Sequence, residues 1–139
     1  MLKYISHKSP NIDFALLIAR IIGGGFMLTH GSSKLLKLME GNFEFANPIG
    51  LGPELSLVLV VFSEIICAFF LILGLFTRWV SIPLIITMLV AVFVIHADHG
   101  FGKQEMGLMY LGFYLILVLL GAGKYSIDAM ISKNKRSFI

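Results

Sequence analysis

The chain has 139 residues, of which 58% are hydrophobic and 14% charged, with a net charge of +3 and a mean hydropathy of +0.91. A soluble domain is nearer to half apolar and a quarter charged, so this composition excludes an ordinary soluble protein and predicts an integral membrane protein. The basic residues are scattered among the predicted loops and tails, which excludes a nucleic-acid-binding surface.

Four apolar stretches predict four membrane-spanning helices, at residues 14–30, 55–76, 79–97 and 106–121. The expected fold is therefore an all-α four-helix transmembrane bundle that forms a single domain over residues 1–139. The first stretch follows basic residues, as in a secretory signal, but Arg20 interrupts it and no cleavage-site residues follow, so we expect a retained span.

The only long predicted connection is the loop at residues 31–54, where we expect a short interfacial helix at residues 34–39. By the positive-inside rule, both termini are predicted to be cytoplasmic and this loop extracytoplasmic. The prediction rests on seven basic residues on one side against three on the other, namely Lys3, Lys8, Arg78, Lys124, Lys133, Lys135 and Arg136 against Lys34, Lys37 and Lys103.

Charged residues inside two of the predicted spans indicate a buried ion pair. If His30 and Leu55 mark the outer face, Arg20 and Glu64 both lie about 14–15 Å deep at the helical rise per residue. Charged side chains at this depth almost always face the bundle interior and find a partner. The sequence therefore predicts an Arg20–Glu64 pair.

Other predicted site residues surround that pair. Tyr114 is expected to complete its hydrogen bonding, with Tyr110 one turn above on the same helical face. Gly23 and Gly24 share a helical stripe with Arg20. Their small size lets another helix approach closely or leaves space for a flat ligand, and the sequence keeps both interpretations open.

His30 and His96 end two of the predicted spans, and Asp98 and His99 follow His96 directly. Such histidines can cap a helix at the headgroup level, or relay protons and bind substrate. A metal or a bis-histidine haem is the third interpretation, but the spacing lacks the i, i+4 pattern of paired ligands, so we assign neither. Cys67 is the only cysteine, which excludes an internal disulfide and a CxxC redox pair.

With these residues in place, the sequence resembles the DoxX family of small four-span bacterial membrane proteins, over about residues 13–131. The first-span arginine and the glycines that follow it carry the resemblance, together with His30-Gly31-x-x-Lys34, GLGPELS before Glu64, GLFTR at 74–78, His96 with a following Gly-Phe, Glu105, an LxYLxFY run and GAGKYSIDA at 121–129. GLGPELS and GKYSIDA look most like versions from Bacteroidetes-type bacteria. The resemblance implies a multi-pass protein of the bacterial inner membrane.

Members of this family resemble the membrane subunit of thiosulfate:quinone oxidoreductases, and some are linked to redox stress beside a soluble partner. The leading hypothesis is therefore a subunit of a membrane oxidoreductase that binds a quinone or similar apolar redox molecule among the spans, with Arg20, Glu64 and His30 in catalytic roles as suppliers of hydrogen bonds and protons. Gly23, Gly24, Tyr110, Tyr114 and His96 would help to bind the substrate. Its protein partners would be a soluble redox protein or a second copy of the chain.

Two other functions fit the same residues. The polar layer could form a site for a small solute or a proton in a transporter, although the chain lacks the duplicated halves of secondary transporters. Alternatively, the protein is a non-catalytic membrane anchor whose long loop holds a partner, in which case the charged residues are structural.

Overall fold

The computed structural model describes residues 9–136, whose regular structure is entirely helical. Five helices follow one another along the chain: α1 (Pro10–Met39), α2 (Pro53–Leu73), α3 (Thr77–Ile95), α4 (Phe101–Leu120) and α5 (Ile127–Arg136). The first four are long and apolar enough to cross a membrane, which confirms the predicted all-α fold with four spans. The predicted cytoplasmic residues Lys3 and Lys8 lie outside the described part of the chain.

The four long helices form an antiparallel bundle in which each helix packs against the next one along the chain and α4 returns to α1. We call the end that carries Pro10, Gly74 and Gly121 the termini face. The opposite end, which carries residues 40–52 and 96–100, is the long-loop face. α5 follows α4 at the termini face and was not predicted.

The first helix is much longer than the sequence pattern indicates. It runs without interruption from Pro10 to Met39, so the expected separate interfacial helix at residues 34–39 is wrong. Ser32, Ser33 and the lysines after His30 end the apolar stretch, but they have no strong helix-breaking effect. Hydropathy therefore marked the end of the apolar segment and not the end of the helix.

Two spans contain π-helical segments, at Phe62–Cys67 within α2 and at Ala91–Ile95 at the end of α3. Such segments are rare and occur frequently at functional sites. The first contains Glu64, and the second ends next to His96. Two of the predicted site residues, Glu64 and His96, thus lie in or next to segments that depart from α-helical geometry.

The middle of the bundle is closed by a layer of fully buried apolar side chains, which we call the central apolar layer: Met27, Cys67, Ala68, Leu71 and Leu84. Gly24 lets α1 approach α2 at this level. A Cβ atom at Gly24 would lie 2.6 Å from Ile72 Cγ1 and 2.8 Å from the Ala68 carbonyl oxygen, which is too close for either. The nearby Gly25 has no such neighbour within 4 Å.

These two adjacent glycines give a matched test of the packing. We expect Gly24→Ala to destabilise the protein by about 1–3 kcal/mol, because overpacking forces the backbones of α1 and α2 apart. Gly25→Ala should be neutral or raise stability by up to about 1 kcal/mol, through the better helix propensity of alanine. Unfolding of both purified variants in detergent measures the difference, and equal stability of the two would contradict this account of α1–α2 packing.

Candidate polar site in the bundle

A buried ion pair joins α1 and α2. Both carboxylate oxygens of Glu64 accept hydrogen bonds from Lys34 Nζ at 2.6 Å. The Glu64 side chain is 3% exposed, whereas that of Lys34 is 28% exposed. Glu64 lies near the middle of α2, so Lys34 reaches from the long-loop half of α1 to neutralise a carboxylate that lipid and apolar side chains would otherwise exclude.

Gly31 makes this pairing sterically feasible. A Cβ atom at Gly31 would lie 2.9 Å from Glu64 Cβ and 2.8 Å from Ile65 Cδ1. Only a residue without a side chain therefore allows α1 to pass so closely over the π-helical turn of α2. Lys34 lies three residues further along α1, on the same helical face as Gly31, and this places its ammonium group above the carboxylate.

Aromatic side chains from α1 and α4 lie beside the pair. The ring of His30 meets that of Tyr110 edge-on at a centroid distance of 5.7 Å, and Tyr110 stacks on Tyr114 at 6.2 Å. Both tyrosines are close enough to Glu64 to interact with its charge. We call Lys34, Glu64, His30 and Tyr110 the Glu64 cluster.

The predicted Arg20–Glu64 ion pair is wrong. Arg20 is completely buried, but its guanidinium donates hydrogen bonds to two backbone carbonyls, Ile72 O through Nη1 at 3.1 Å and Tyr125 O through Nη2. Ile72 belongs to the last turn of α2, where carbonyl groups have no intrahelical partner and carry a partial negative charge. Arg20 therefore holds the end of α2 and the segment after α4 together at the termini face.

The error arose from the choice of His30 as the outer end of the first span. Because α1 continues to Met39, the residue of α1 that lies level with Glu64 is Gly31 and not Arg20. Gly31 and Arg20 are separated by about 16 Å along the helix axis at 1.5 Å per residue. The two charges consequently belong to different halves of the bundle.

The segment after α4 completes the termini face. The Asp128 carboxylate accepts hydrogen bonds from Phe76 N at 2.8 Å and Thr77 N at 2.9 Å, so it caps the first turn of α3. Its own backbone N–H donates to Gly74 O at 2.9 Å. This contact network accounts for the GAGKYSIDA motif in structural terms, and neither partner of Arg20 was identified from the sequence.

The predicted ligand-binding glycines contact neighbouring helices. A Cβ atom at Gly23 would be 3.5 Å from Tyr114 Cε1, and Gly24 lies against Ile72 and Ala68. The predicted hydrogen bond from Tyr114 to the Arg20–Glu64 pair is wrong. The Tyr114 hydroxyl donates to Gly23 O at 3.0 Å. Gly23, Gly24 and Tyr114 thus pack α1 against its neighbours, and a part in ligand binding stays a prediction for them.

His96 lies apart from the contacts of the Glu64 cluster. It ends α3, its carbonyl accepts a hydrogen bond from Gln104 Nε2 at 3.1 Å, and its ring lies 5.5 Å from that of His99. Its Nδ1 atom is buried and has no hydrogen-bond partner among the described residues. Within residues 9–136, no three His, Cys, Asp or Glu side chains are grouped so that they could hold a metal ion.

Lys34 is the functional candidate that the sequence analysis missed, since it was assigned to the outer loop. The available signal was the His30-Gly31-x-x-Lys34 pattern, in which a glycine and a lysine three residues apart share a helical face.

An open groove of ≈ 560 Å³ also lies at the long-loop face. It is lined by residues of the loop and the outward side of α2, including Phe43, Leu51, Leu55 and Val58, and not by the Glu64 cluster.

The ion pair predicts non-additive effects of substitution. Lys34→Met alone should destabilise the protein by up to about 3 kcal/mol, because it leaves a buried carboxylate unpaired, and Glu64→Met should do likewise. The double variant K34M/E64M should be closer in stability to the unaltered protein than either single variant. Lys37→Met, which removes only a 3.4 Å contact to Glu44 O, is the control for unfolding measurements in detergent. Additive losses in the double variant would contradict a direct pair.

Comparisons with known proteins agree with this architecture. The sequence profile of the DoxX family matches residues 15–97, which include the Glu64 cluster except Tyr110. An uncharacterized protein of Haemophilus influenzae is 38% identical over 94 residues, which cover 64% of this chain and 62% of the relative, so the chain spans less than two thirds of that relative's length. No solved structure matches the chain. With four apolar helices and a family profile that covers more than half of its length, the chain is a multi-pass membrane protein that belongs to the DoxX family.

Proposed function

We propose that this protein is the membrane subunit of an oxidoreductase and that it binds a quinone, or a similar apolar redox molecule, at the Glu64 cluster. The observation that carries the proposal is the Lys34–Glu64 pair, a carboxylate and an ammonium in hydrogen-bond contact within a π-helical turn in the middle of an apolar bundle. Ionisable groups at such depth are costly, and they commonly mark substrate and proton pathways.

The side chains of the cluster fit the chemistry of a quinone. A bound quinone would accept two electrons and two protons, so its oxygens need hydrogen-bond donors and a proton source. Lys34, the imidazole of His30 and the hydroxyl of Tyr110 can donate hydrogen bonds, and the carboxylate of Glu64 can accept them. His30 is exposed at the side of α1 and contacts Tyr110 of α4, so an apolar molecule can approach the cluster from the bilayer.

The proposal assigns Arg20 a structural task in place of the catalytic role expected from the sequence. Its guanidinium is engaged by the carbonyls of Ile72 and Tyr125 at the termini face, on the far side of the central apolar layer. The electrons for quinone reduction would come from a soluble redox protein or a small two-electron donor, because the single cysteine forms no redox pair.

We further propose that the protein resides in the inner membrane of a bacterium with its termini face toward the cytoplasm. Arg78, Lys124 and Lys133 lie at or beyond the ends of the spans on this face, as the positive-inside rule requires. The long-loop face, and with it the exposed end of the Glu64 cluster, would then face the periplasm.

A transporter is the alternative that the geometry supports less. Transport needs a polar route that can open to both faces, whereas Met27, Ala68, Leu71 and Leu84 are buried between Glu64 and Arg20 at 0–1% exposure. This dry layer favours a binding site over a transport path.

Binding of a short-chain benzoquinone to the protein in lipid nanodiscs tests the proposal. Glu64→Gln and Lys34→Met should each weaken binding about tenfold or more, since a hydrogen bond to a charged group is worth about 1.5–3 kcal/mol. The matched control is Glu54→Gln, which changes an exposed carboxylate on the same helix and should leave affinity unchanged. Equilibrium dialysis gives the affinities, and the well-folded double variant K34M/E64M separates lost binding from lost structure. Unchanged affinity in E64Q would refute the assignment.

A further inference from the structure

We infer that the Lys34–Glu64 pair exchanges water and protons with the long-loop face of the membrane alone. Protons for the proposed reaction would then come from one face of the membrane only, and this inference rests on the proposed function solely for the identity of the ligand. One-sided access follows from the exposure and contacts of Lys34 and Glu64, whatever the cluster binds.

The pair is open at its lysine end. Lys34 is 28% exposed and Glu64 only 3%, so solvent meets the ammonium before it meets the carboxylate. Lys34 lies on the last two turns of α1, which end at Met39 on the long-loop face. A small rotation of the flexible lysine side chain would bring water to Glu64 from this face.

Among residues 9–136, no chain of hydrogen-bonded side chains runs from Glu64 through the central apolar layer. The Tyr114 hydroxyl, on α4, donates to the backbone carbonyl of Gly23. On the α3 side, the hydroxyls of Ser63 and Thr87 lie 2.9 Å apart, and Thr87 is also 2.9 Å from Pro83 O, so this chain ends on a backbone carbonyl as well. The hydroxyls of Tyr114 and Thr87 thus lead to backbone carbonyls and not to a further ionisable side chain.

The termini face is closed by a group that cannot pass a proton. Arg20 is fully buried on the termini side of the central apolar layer, and its guanidinium has hydrogen-bond donors but no acceptor atom. Its Nη atoms are bound to the carbonyls of Ile72 and Tyr125. The central apolar layer thus separates the Glu64 cluster from Arg20, and the guanidinium of Arg20 closes the bundle at the termini face.

One-sided access fixes where protons appear in the reaction. When a two-electron donor reduces a bound quinone, the Lys34 ammonium would give one proton to a quinone oxygen and regain it from water at the long-loop face, and a second proton would follow the same path. Oxidation of the quinol would release both protons to that face. The reaction would then change the pH on one side of the membrane only.

Single-cysteine labelling tests the sidedness without reference to activity. Cys67 is the sole cysteine, so Cys67→Ala gives a cysteine-free background in one step. On it, Lys34→Cys is introduced together with Glu64→Gln, so that no unpaired carboxylate remains to unfold the protein. A charged, membrane-impermeant methanethiosulfonate is then applied to sealed vesicles of either orientation. Asn47→Cys reports the long-loop face and Lys124→Cys the termini face, while Met27→Cys, at 1% exposure, is the buried control.

We expect the Lys34→Cys variant to react from the Asn47 side and at least about a hundredfold more slowly from the Lys124 side, because reaction there requires local opening of the bundle. The Met27→Cys variant should be unreactive from both sides. Comparable labelling of Lys34→Cys from both faces, labelling from the termini face only, or no labelling at all would overturn the inference.

A second arm separates this inference from the proposed function. Quinone binding is measured separately, by the equilibrium dialysis described above, on the protein that keeps Lys34 and Glu64. One-sided labelling of Lys34→Cys with no saturable quinone binding to the unaltered protein would leave the one-sided path intact and remove the quinone assignment. Saturable binding that Glu64→Gln weakens, together with labelling from both faces, would do the opposite.

Discussion

A carboxylate in the middle of an apolar helix bundle requires a counter-charge, and this requirement determines the helix contacts in the half of the bundle nearer the long-loop face. Lys34 supplies the charge with two 2.6 Å hydrogen bonds to Glu64. For the ammonium to reach the carboxylate, α1 must pass closely over α2, and Gly31 provides the necessary space. Glu64 itself lies within the π-helical turn at Phe62–Cys67. One electrostatic need therefore explains both the glycine and the lysine of α1.

In the half of the bundle nearer the termini face, a buried charge is accommodated by backbone carbonyl groups. Arg20 is as deeply buried as Glu64, yet its guanidinium donates hydrogen bonds to the carbonyls of Ile72 and Tyr125 and not to a carboxylate. Ionic pairing and carbonyl capping are both recognised ways of accommodating a charge in a dry environment. The chain uses one of them in each half, and an apolar layer keeps the two apart. The family pattern at residues 121–129 thus corresponds to contacts that hold the helix ends together at the termini face, while the pattern at residues 30–34 corresponds to the candidate site.

The sequence predicted the number of spans, their approximate positions and the burial of Arg20 and Glu64, because apolar length and the cost of buried charge are local properties. It failed on the pairing, which depends on the register between two helices. That register was inferred from His30, where hydropathy changes, but α1 continues to Met39. Tyr125 could not have been found from patterns, since its backbone carbonyl and not its side chain binds Arg20. The π-helical turns likewise leave no periodic signal in a short segment.

The length of α1 ties the candidate site to the thickness of the bilayer. A 30-residue helix is about 45 Å long, while the hydrocarbon core of a membrane is about 30 Å thick. The surplus turns include Lys34 and Lys37, which favour water or headgroups over acyl chains, so hydrophobic mismatch acts on the same stretch of helix that neutralises Glu64. In a thicker bilayer, Lys34 would lie deeper and its ammonium would be held more firmly against the carboxylate. In a thinner one, hydration would compete for it, which makes lipid chain length a physical control on the strength of this contact.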